Sequence, residues 1–284
     1  IRIGDKMNIV VCIKQVPASS DVKIDPVTGV LIRDGNNTKM NPYDLYGIET
    51  ALRIKEQNGA TIKTISMGPG PAKAVLEESL WMGCDEALLI SDRKFGGADV
   101  VATAYTISQG IKKLGDFNLI ICGKQTTDGD TAQVGAEMAE YLQIPHIAYV
   151  EKVLEIKENS IVVRAQMDKT IETYEVKFPC LITVDKGHIT PRLPSYKRGK
   201  DFQNIEIPVV TFLDVIDQDE SHYGLKGSPT QVEKMFPPAK NTDKIVIKGS
   251  LDEQVDCLTK ILKDKKYISV SYTHLRAHET PEHL

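Results

Sequence analysis

The sequence has few aromatic residues and no long hydrophobic run. Aromatics make up 6% of the 284 residues, and no stretch approaches the roughly 18 apolar residues that a membrane-spanning helix needs. The formal net charge is -4. Clustered Lys and Arg are also lacking, which argues against nucleic acid and anionic membranes as partners, because phosphate neutralisation requires grouped cations. We therefore expect a cytoplasmic protein with no membrane insertion.

Paired cysteines are lacking as well. The five cysteines are isolated, with no C-x-x-C motif and no His at ligand spacing, which excludes a recognisable zinc motif or disulfide framework. Cys12, Cys122 and Cys180 lie in apolar runs and are predicted to be reduced core thiols. We expect no metal site. No catalytic constellation is recognisable either, because His146 and His188 accompany no nucleophile motif.

The two ends of the chain do not fit the rest of the pattern. A strand pattern begins at Met7, and residues 1–6 are expected to be an upstream non-native extension. Residues 269–284 contain His274, His278 and His283, half of the six histidines. They resemble a translated sequencing adapter, and we expect an artefactual tail, with a metal-binding His tail as the alternative.

Apolar strand patterns alternate with helical patterns over the first half of the chain. The predicted strands are 8–16, 61–67, 86–90 and 118–122, and the predicted helices are 43–58, 72–82, 98–114 and 131–142. This alternation predicts a Rossmann-like α/β domain with an open, mainly parallel sheet covered on both faces. Such sheets bind ligands beyond the carboxyl ends of their strands.

The pattern changes after residue 150. A hairpin over 153–165 and strands at 171–178 and 180–184 are predicted to extend the same sheet, followed by an irregular stretch over 186–204. We assign 7–204 to one nucleotide-binding domain. The Pro-punctuated remainder, 205–268, contains one predicted helix at 251–262 and suits an arm that wraps a partner.

The densest local signal lies between residues 122 and 135. Gly123 permits close backbone approach, and Asp130-x-x-Gln133 is predicted to form a capping box at a helix start, where a phosphate could bind. An ordinary strand-to-helix turn stays open as an alternative, because G-x-G-x-x-G and G-x-x-x-x-G-K-[ST] are both absent. Residues 40–44 and 66–69 are predicted to lie at the same sheet edge.

Several ordered motifs carry a resemblance to a known family. They are Val11-Cys12-Ile13-Lys14-Gln15-Val16-Pro17, Met40-Asn41-Pro42-Tyr43-Asp44, Met67-Gly68-Pro69, Gly123-Lys124-Gln125 and Gly227-Ser228-Pro229-Thr230. Over residues 7–268 the chain resembles the β subunit of electron transfer flavoproteins. The resemblance implies an adenine-nucleotide-binding fold shared with universal stress proteins, and an α subunit that carries FAD and around which 205–268 wraps.

The resemblance also implies a cofactor site. The positions that match the family's nucleotide-binding residues are Cys12, Asn41, Pro42, Tyr43, Asp44, Met67, Gly68, Cys122, Gly123, Lys124, Gln125, Thr126, Thr127, Asp128, Gly129, Asp130, Thr131, Ala132, Gln133 and Val134. The nucleotide is AMP in the respiratory type and a second FAD in the electron-bifurcating type.

The loop sequence favours the bifurcating type. The respiratory type resembles Asp-Asp-Asp-x-Asn-Gln-Thr-Gly, whereas this chain has Asp128-Gly129-Asp130-Thr131-Ala132-Gln133-Val134-Gly135. The implied activity is hydride acceptance from NADH by the β-bound FAD. One electron then passes to ferredoxin or flavodoxin and the other, through the α-subunit FAD, to a flavin-dependent dehydrogenase. A carrier subunit that binds AMP and an ATP-binding stress-protein-like module without redox activity are the alternatives.

Residues 186–204 resemble the family's recognition loop. In that loop an apolar anchor, here Leu193, enters a pocket on the dehydrogenase while basic neighbours steer docking. The expected docking residues are Arg192, Leu193, Pro194, Tyr196, Lys197 and Arg198. The chain departs from the family's Ala-Lys-Lys-rich continuation with Gly199-Lys200-Asp201-Phe202.

Overall fold

A computed structural model describes residues 6–18, 37–187, 189–233 and 244–268. Residues 1–5, His188 and the tail 269–284 lie outside the described residues, so the expectations for them stay untested. The chain divides into two compact units, residues 1–235 and 236–284. Among the described residues, no helix is both long and apolar enough to cross a membrane.

The first unit is built on a nine-stranded sheet with the strand order β11-β5-β4-β1-β6-β10-β7-β8-β9. Strands β11 to β7 in that order are parallel, and β7, β8 and β9 are antiparallel neighbours. The strands are β1 Met7–Cys12, β4 Ala60–Met67, β5 Glu86–Ile90, β6 Leu119–Gly123, β7 His146–Ile156, β8 Ser160–Gln166, β9 Ile171–Lys177, β10 Cys180–Val184 and β11 Val209–Val210. The predicted open, mainly parallel α/β sheet with a hairpin extension is confirmed.

Helices cover both faces of this sheet. The helices are α1 Pro42–Asn58, α2 Lys73–Met82, α3 Val100–Leu114, α4 Val134–Leu142 and α5 Tyr196–Asp201. Alternate residues of β1 enter opposite cores: Ile9 and Val11 join the core that includes α1 and α2 residues, whereas Val10 joins the core of α3 and α4. The continuous apolar strands predicted from the sequence therefore reflect burial on both faces.

Several predicted elements differ from the structure; the first strand of the hairpin, for example, begins at His146 and not at 153. The predicted strand 8–16 is two strands, because the chain leaves the sheet after Cys12 and β2 Gln15–Pro17 pairs with β3 Thr38–Met40 instead. The stretch 186–204 contains the short helix α5, which Ser195 caps through Arg198 N. The predicted helix 131–142 begins three residues later, at Val134, because two residues shortly before it have left-handed backbone conformations.

The first part of the Pro-punctuated segment belongs to the sheet unit. β11 pairs with β5, and Val210, Phe212, Val215 and Tyr223 are buried in the α3 and α4 core. In the second unit, α6 Leu251–Asp264 begins at a capping box formed by Ser250 and Glu253. The described part of the second unit thus contributes one amphipathic helix, as the spacing predicts.

Candidate functional site

The candidate site lies at the carboxyl ends of β1 and β6. From β1 the chain continues through α1 to β4 on one side, whereas β6 lies on the other side of β1. The strand order therefore reverses between these two strands, and open α/β sheets bind ligands at such a switch point. Cys12 and Cys122, near the carboxyl ends of these strands, lie opposite each other in the β1/β6 pair. We name the site the β1/β6 crevice, formed by residues 12–14, 41–44 and 122–134.

Asp44, in the first turn of α1, joins the segments of the crevice. Its carboxylate accepts hydrogen bonds from Lys14 N at 2.7 Å and from Asn41 Nδ2 at 2.9 Å. Burial raises the pKa of Asp44 to about 7, although hydrogen bonds from Asn41, Lys14 N and Gly123 N act in the opposite direction. Desolvation of the charged form therefore exceeds the stabilisation from these donors.

Asn41 precedes α1 but does not cap it with its side chain. Instead its Nδ2 also donates to Gln125 O at 2.9 Å, and its Oδ1 accepts from Thr127 N at 3.3 Å. Pro42 at the first helical position needs no N–H partner, which suits a helix start without a side-chain cap. The sequence motif 40–44 therefore holds the β6 loop against the end of β1.

Gly123 is required by the closeness of these segments. A Cβ atom at this position would lie 2.3 Å from Asp44 Oδ1 and 2.9 Å from the Tyr43 carbonyl carbon. Gly129, in the same loop, is exposed, and the nearest atom to a Cβ there is Thr126 Oγ1 at 3.5 Å. The two glycines thus differ: one permits protein packing, and the other leaves open space at the mouth of the crevice.

The predicted capping box at Asp130 and Gln133 is wrong. Asp130 and Ala132 adopt left-handed backbone conformations, with φ of 51° and 55°. These conformations interrupt the helix before Val134. The Asp130 carboxylate accepts from Gln125 Nε2 at 2.9 Å, and Asp130 N donates to Thr126 O at 2.9 Å. The loop closes on itself, and its carboxylate is used within the loop.

The start of α4 keeps donors for a ligand. Gln133 occupies the N-cap, and no side chain within the described ranges caps the helix there. The first N–H groups of a helix and its positive dipole end attract phosphate. Ser66, next to Met67 at the end of β4, is buried, and its Oγ has no hydrogen-bond partner among the described residues. This edge therefore combines a helix start without a side-chain cap and a buried hydroxyl without a partner among the described residues.

The other predicted crevice residues surround this centre. Met67 ends β4, and Gly68 N donates to Ile90 O at 3.0 Å, so both lie at the same sheet edge. Cys122 is buried and Cys12 half-buried, and both are free thiols, as is the buried Cys180. Thr131 is exposed in the loop before α4. The structure therefore brings the predicted set to one edge through three strand ends.

Sequence reasoning missed Lys14. Its Nζ donates to both Asp128 carboxylate oxygens, at 2.8 and 2.7 Å, and connects the end of β1 to the β6 loop. Burial favours the neutral form of Asp128, but the hydrogen bond and charge of Lys14 together with the hydrogen bond from Thr126 outweigh it, and the pKa of Asp128 is lowered. A signal was available, because Lys14 follows directly after an apolar strand at the ligand-binding edge.

A second missed group surrounds Lys124. Its Nζ donates to Asp185 Oδ2 at 2.8 Å and lies 4.9 Å from the centre of the Tyr149 ring. Tyr149 has a φ of 59° within β7, and its N–H donates to Thr183 Oγ1 at 3.1 Å. A bulky residue in the left-handed region is strained and usually marks a functional or structural constraint. The register between β7 and β10 shifts at this point, and sequence spacing gives no indication of that shift.

The predicted docking residues lie on a different surface, beside α1 and α2. Leu193, Pro194, Tyr196 and Lys197 are exposed, whereas Arg192 and Arg198 are half-buried. Arg192 reaches α1, and Arg198 reaches the end of α2. The structure therefore separates the two predicted sets of residues into a crevice and a recognition loop, both in contact with α1.

Comparison with known proteins gives a consistent family. Residues 28–210 match the description "Electron transfer flavoprotein domain". An electron transfer flavoprotein subunit beta of Clostridium acetobutylicum is 45% identical over 262 residues, which cover 92% of this chain and 100% of the relative.

Two further relatives carry other names. The caffeyl-CoA reductase-Etf complex subunit CarD of Acetobacterium woodii is 42% identical over 92% of this chain and 100% of the relative. Protein FixA of Sinorhizobium fredii is 36% identical over 91% of this chain and 90% of the relative. With its mainly parallel sheet, its crevice at the switch point and these relatives, the chain belongs to the electron transfer flavoprotein family, among the β subunits.

Proposed function

We propose that this chain, in complex with an α subunit, binds FAD in the β1/β6 crevice and takes part in electron bifurcation. In this function NADH is the hydride donor. One electron passes to ferredoxin or flavodoxin, and the other passes through the FAD of the α subunit to a flavin-dependent dehydrogenase. The electron transfer role follows from the family, and the cofactor and the division of electrons are the proposal.

The observation that carries the proposal is the open space at Gly129. The position is exposed, its φ is not in the left-handed region, and no atom of the described residues would lie closer than 3.5 Å to a Cβ added there. Neither backbone conformation nor protein packing therefore requires glycine there. A requirement for space outside the protein, such as room for a diphosphate and a flavin ring, explains the residue better.

The chain's own residues bind and orient the cofactor. The N–H groups at the start of α4 suit the diphosphate. Asn41 and Asp44 fix the β6 loop against the end of β1 through the hydrogen bonds described above. When bound, FAD would supply hydride acceptance. Placing it near the nicotinamide is positioning work, so no protein acid or base is needed.

Binding of AMP is the competing interpretation of the same crevice. AMP shares the adenosine and one phosphate with FAD, and both would use the donors at β1, β6 and α4. This loop differs from the respiratory-type loop in side-chain volume, because Gly129 and Ala132 have small side chains and leave more space for a larger cofactor. Cofactor content therefore distinguishes a bifurcating subunit from a carrier subunit.

Partners follow from the same proposal. Helix α6 exposes Leu251, Val255 and Leu258, spaced for one helical stripe, which suits contact with an α subunit. The Acetobacterium woodii relative is named as a subunit of a complex with a caffeyl-CoA reductase, which supports an oxidoreductase as the docking partner, here a flavin-dependent dehydrogenase. We also place the complex in the cytoplasm, in agreement with five free cysteines.

Cofactor counting after co-expression with the α subunit tests the proposal. We expect about two FAD and no AMP per αβ dimer, because each subunit would bind one flavin. NADH should bleach the flavin absorbance. One FAD with one AMP would establish the carrier subunit instead, and a colourless chain that binds ATP without an α subunit would establish the stress-protein-like module.

A further inference from the structure

The recognition loop exposes two large apolar side chains close together in sequence. Leu193 is 87% and Tyr196 81% exposed. Burying such side chains in a partner is favourable, but only if the loop does not lose much conformational entropy on binding. In the structure, hydrogen bonds and ion pairs within the chain fix this loop against α1 and α2 without a partner.

Arg192 holds one side of the exposed pair against α1. Its Nε donates to Glu49 Oε2 at 2.8 Å, and its backbone N donates to the same oxygen at 3.1 Å. Its Nη1 donates to Glu56 Oε1 at 2.5 Å. Because Nη2 also reaches both carboxylates, at 3.2 Å each, the guanidinium spans two turns of α1. Such multidentate pairs fix orientation as well as position.

Arg198 and Ser195 hold the other side against the end of α2. Arg198 Nε donates to Leu80 O and its Nη2 to Cys84 O, each at 2.7 Å. Ser195 N donates to Trp81 O at 3.0 Å. These carbonyls belong to the last turn of α2 and the residues just after it, where helices have acceptors to offer. Arg198 therefore serves as an anchor for the loop.

We propose that Arg192 and Arg198 are positioning residues that pre-organise Leu193 and Tyr196 for docking to a flavin-dependent dehydrogenase. This inference rests on the proposed function, because it assumes that the loop is the docking surface. Both guanidinium groups are engaged within the chain. Electrostatic steering would therefore fall to Lys197, which is exposed.

Glu49 is the centre of the first anchor. Its side chain is only 4% exposed, and it also accepts from Arg53 Nε at 3.0 Å. Burial favours its neutral form, but hydrogen bonds from Arg192 and Arg53 outweigh burial and lower the pKa of Glu49. Arg53 reaches Glu49 without belonging to the loop. It therefore offers a matched control for the loss of one guanidinium.

The test uses the αβ complex and a purified flavin-dependent acyl-CoA dehydrogenase as the probe. We expect Arg192→Gln to raise the KM for the dehydrogenase about tenfold with kcat unchanged, the cost of ordering one or two side chains on binding. Trypsin cleavage after Lys197 should accelerate about fivefold without any partner, because cleavage follows the open population of the loop. Glu56→Gln, at an exposed side chain, should shift both readouts in the same direction.

The controls separate the possible failures. Arg53→Gln should change neither KM nor cleavage, and Leu193→Ala should raise KM without accelerating cleavage. If Leu193→Ala leaves KM unchanged, the docking role in the proposed function is refuted. If Leu193→Ala raises KM while Arg192→Gln and Glu56→Gln leave cleavage unchanged, the positioning role alone is refuted, whatever their effect on KM.

Discussion

Helix α1 carries two buried carboxyl groups whose pKa values shift in opposite directions. Asp44 faces the β1/β6 crevice and Glu49 faces the recognition loop, and both residues are buried. Burial raises the pKa of Asp44 to about 7, despite its N–H donors. Burial also opposes ionisation of Glu49, but the guanidinium groups of Arg192 and Arg53 lower its pKa.

The difference teaches what kind of partner decides the charge of a buried group. The direct donors to Asp44 are a side-chain amide and backbone N–H groups, which carry no net charge, and the charge of Lys14 acts on Asp44 without a side-chain hydrogen bond. The donors to Glu49 are cations. Neutral donors satisfy the hydrogen-bond acceptors of a buried carboxylate but do not fully compensate for the desolvation of its charge. Cationic donors satisfy the acceptors and also compensate for that desolvation. One helix thus supports a neutral-donor hub in the crevice and an ionic anchor at the loop.

The largest effect is expected from filling the space beside Asp44. Gly123→Ala would place a Cβ 2.3 Å from Asp44 Oδ1 and 2.9 Å from the backbone of Tyr43. We expect a loss of about 3 kcal/mol in the free energy of unfolding, at the upper end of overpacking costs. Urea unfolding of the αβ complex measures it.

Gly129→Ala is the matched control in the same loop. Within the described part of the chain, its Cβ would meet only Thr126 Oγ1, at an ordinary contact distance of 3.5 Å. We expect a change within about 0.5 kcal/mol, typical of exposed positions. Equal stability of the two alanine variants would contradict the close approach of β6 and α1.

A second effect, comparable in total but spread over several pH units, is expected from pH, with opposite signs for the two carboxyl groups. The pKa of Asp44 is raised from 3.8 to about 7 in the folded state, so its stabilising contribution is complete at low pH and is lost as pH rises. Between pH 4 and 7 the wild type should lose up to about 1.4 kcal/mol per pH unit relative to Asp44→Asn.

The contribution of Glu49 should run the other way. Its pKa is lowered in the folded state, so its contribution is complete above the unfolded pKa and is lost as pH falls through the folded value. The advantage of the wild type over Glu49→Gln should therefore shrink below about pH 5, where an unfolded Glu begins to protonate. Urea unfolding from pH 3 to 8 checks both slopes. If the wild-type stability relative to each variant changed with pH in the same direction, the two carboxyl groups would not have opposite pKa shifts.

The smallest effect on stability is expected at the mouth of the crevice. Gly129→Asp adds bulk and negative charge at an exposed position without a strained backbone. We expect unchanged unfolding within about 0.5 kcal/mol, but reduced occupancy of FAD in the β subunit. Flavin counting of Gly129→Asp beside Gly129→Ala separates charge from the added Cβ. Full FAD content in the aspartate variant would reject the steric argument.

The sequence predicted the fold well where burial on both faces gave a strong signal. The strand Glu86–Ile90 matches the prediction, and the predicted helix 43–58 differs from α1 by one residue. The predicted start of α4 was wrong because residue type does not show that Asp130 and Ala132 have left-handed backbones. Asp commonly caps a helix and Ala favours a helix interior. Loop closure through Gln125 competed with capping and replaced it.

The candidate site was predictable in its position and not in its connections. Strand ends and glycines placed the crevice at one sheet edge, and the motifs indicated which residues line it. The pairing of Lys14 with Asp128, and of Arg192 with Glu49, joins residues far apart in the chain. Such pairs leave no periodicity in a single sequence, so hydrophobic pattern and spacing cannot find them.

By itself the sequence determined the alternation of strands and helices, the family, and the sheet edge where the candidate site lies, because these follow from hydrophobic periodicity and local motifs. Only the tertiary structure decided the protonation preference of Asp44, the need for glycine at 123 and the engagement of Arg192 and Arg198. These properties depend on burial and on contacts between residues that are far apart in the chain. Folding creates both, so neither can be predicted from the residue types alone.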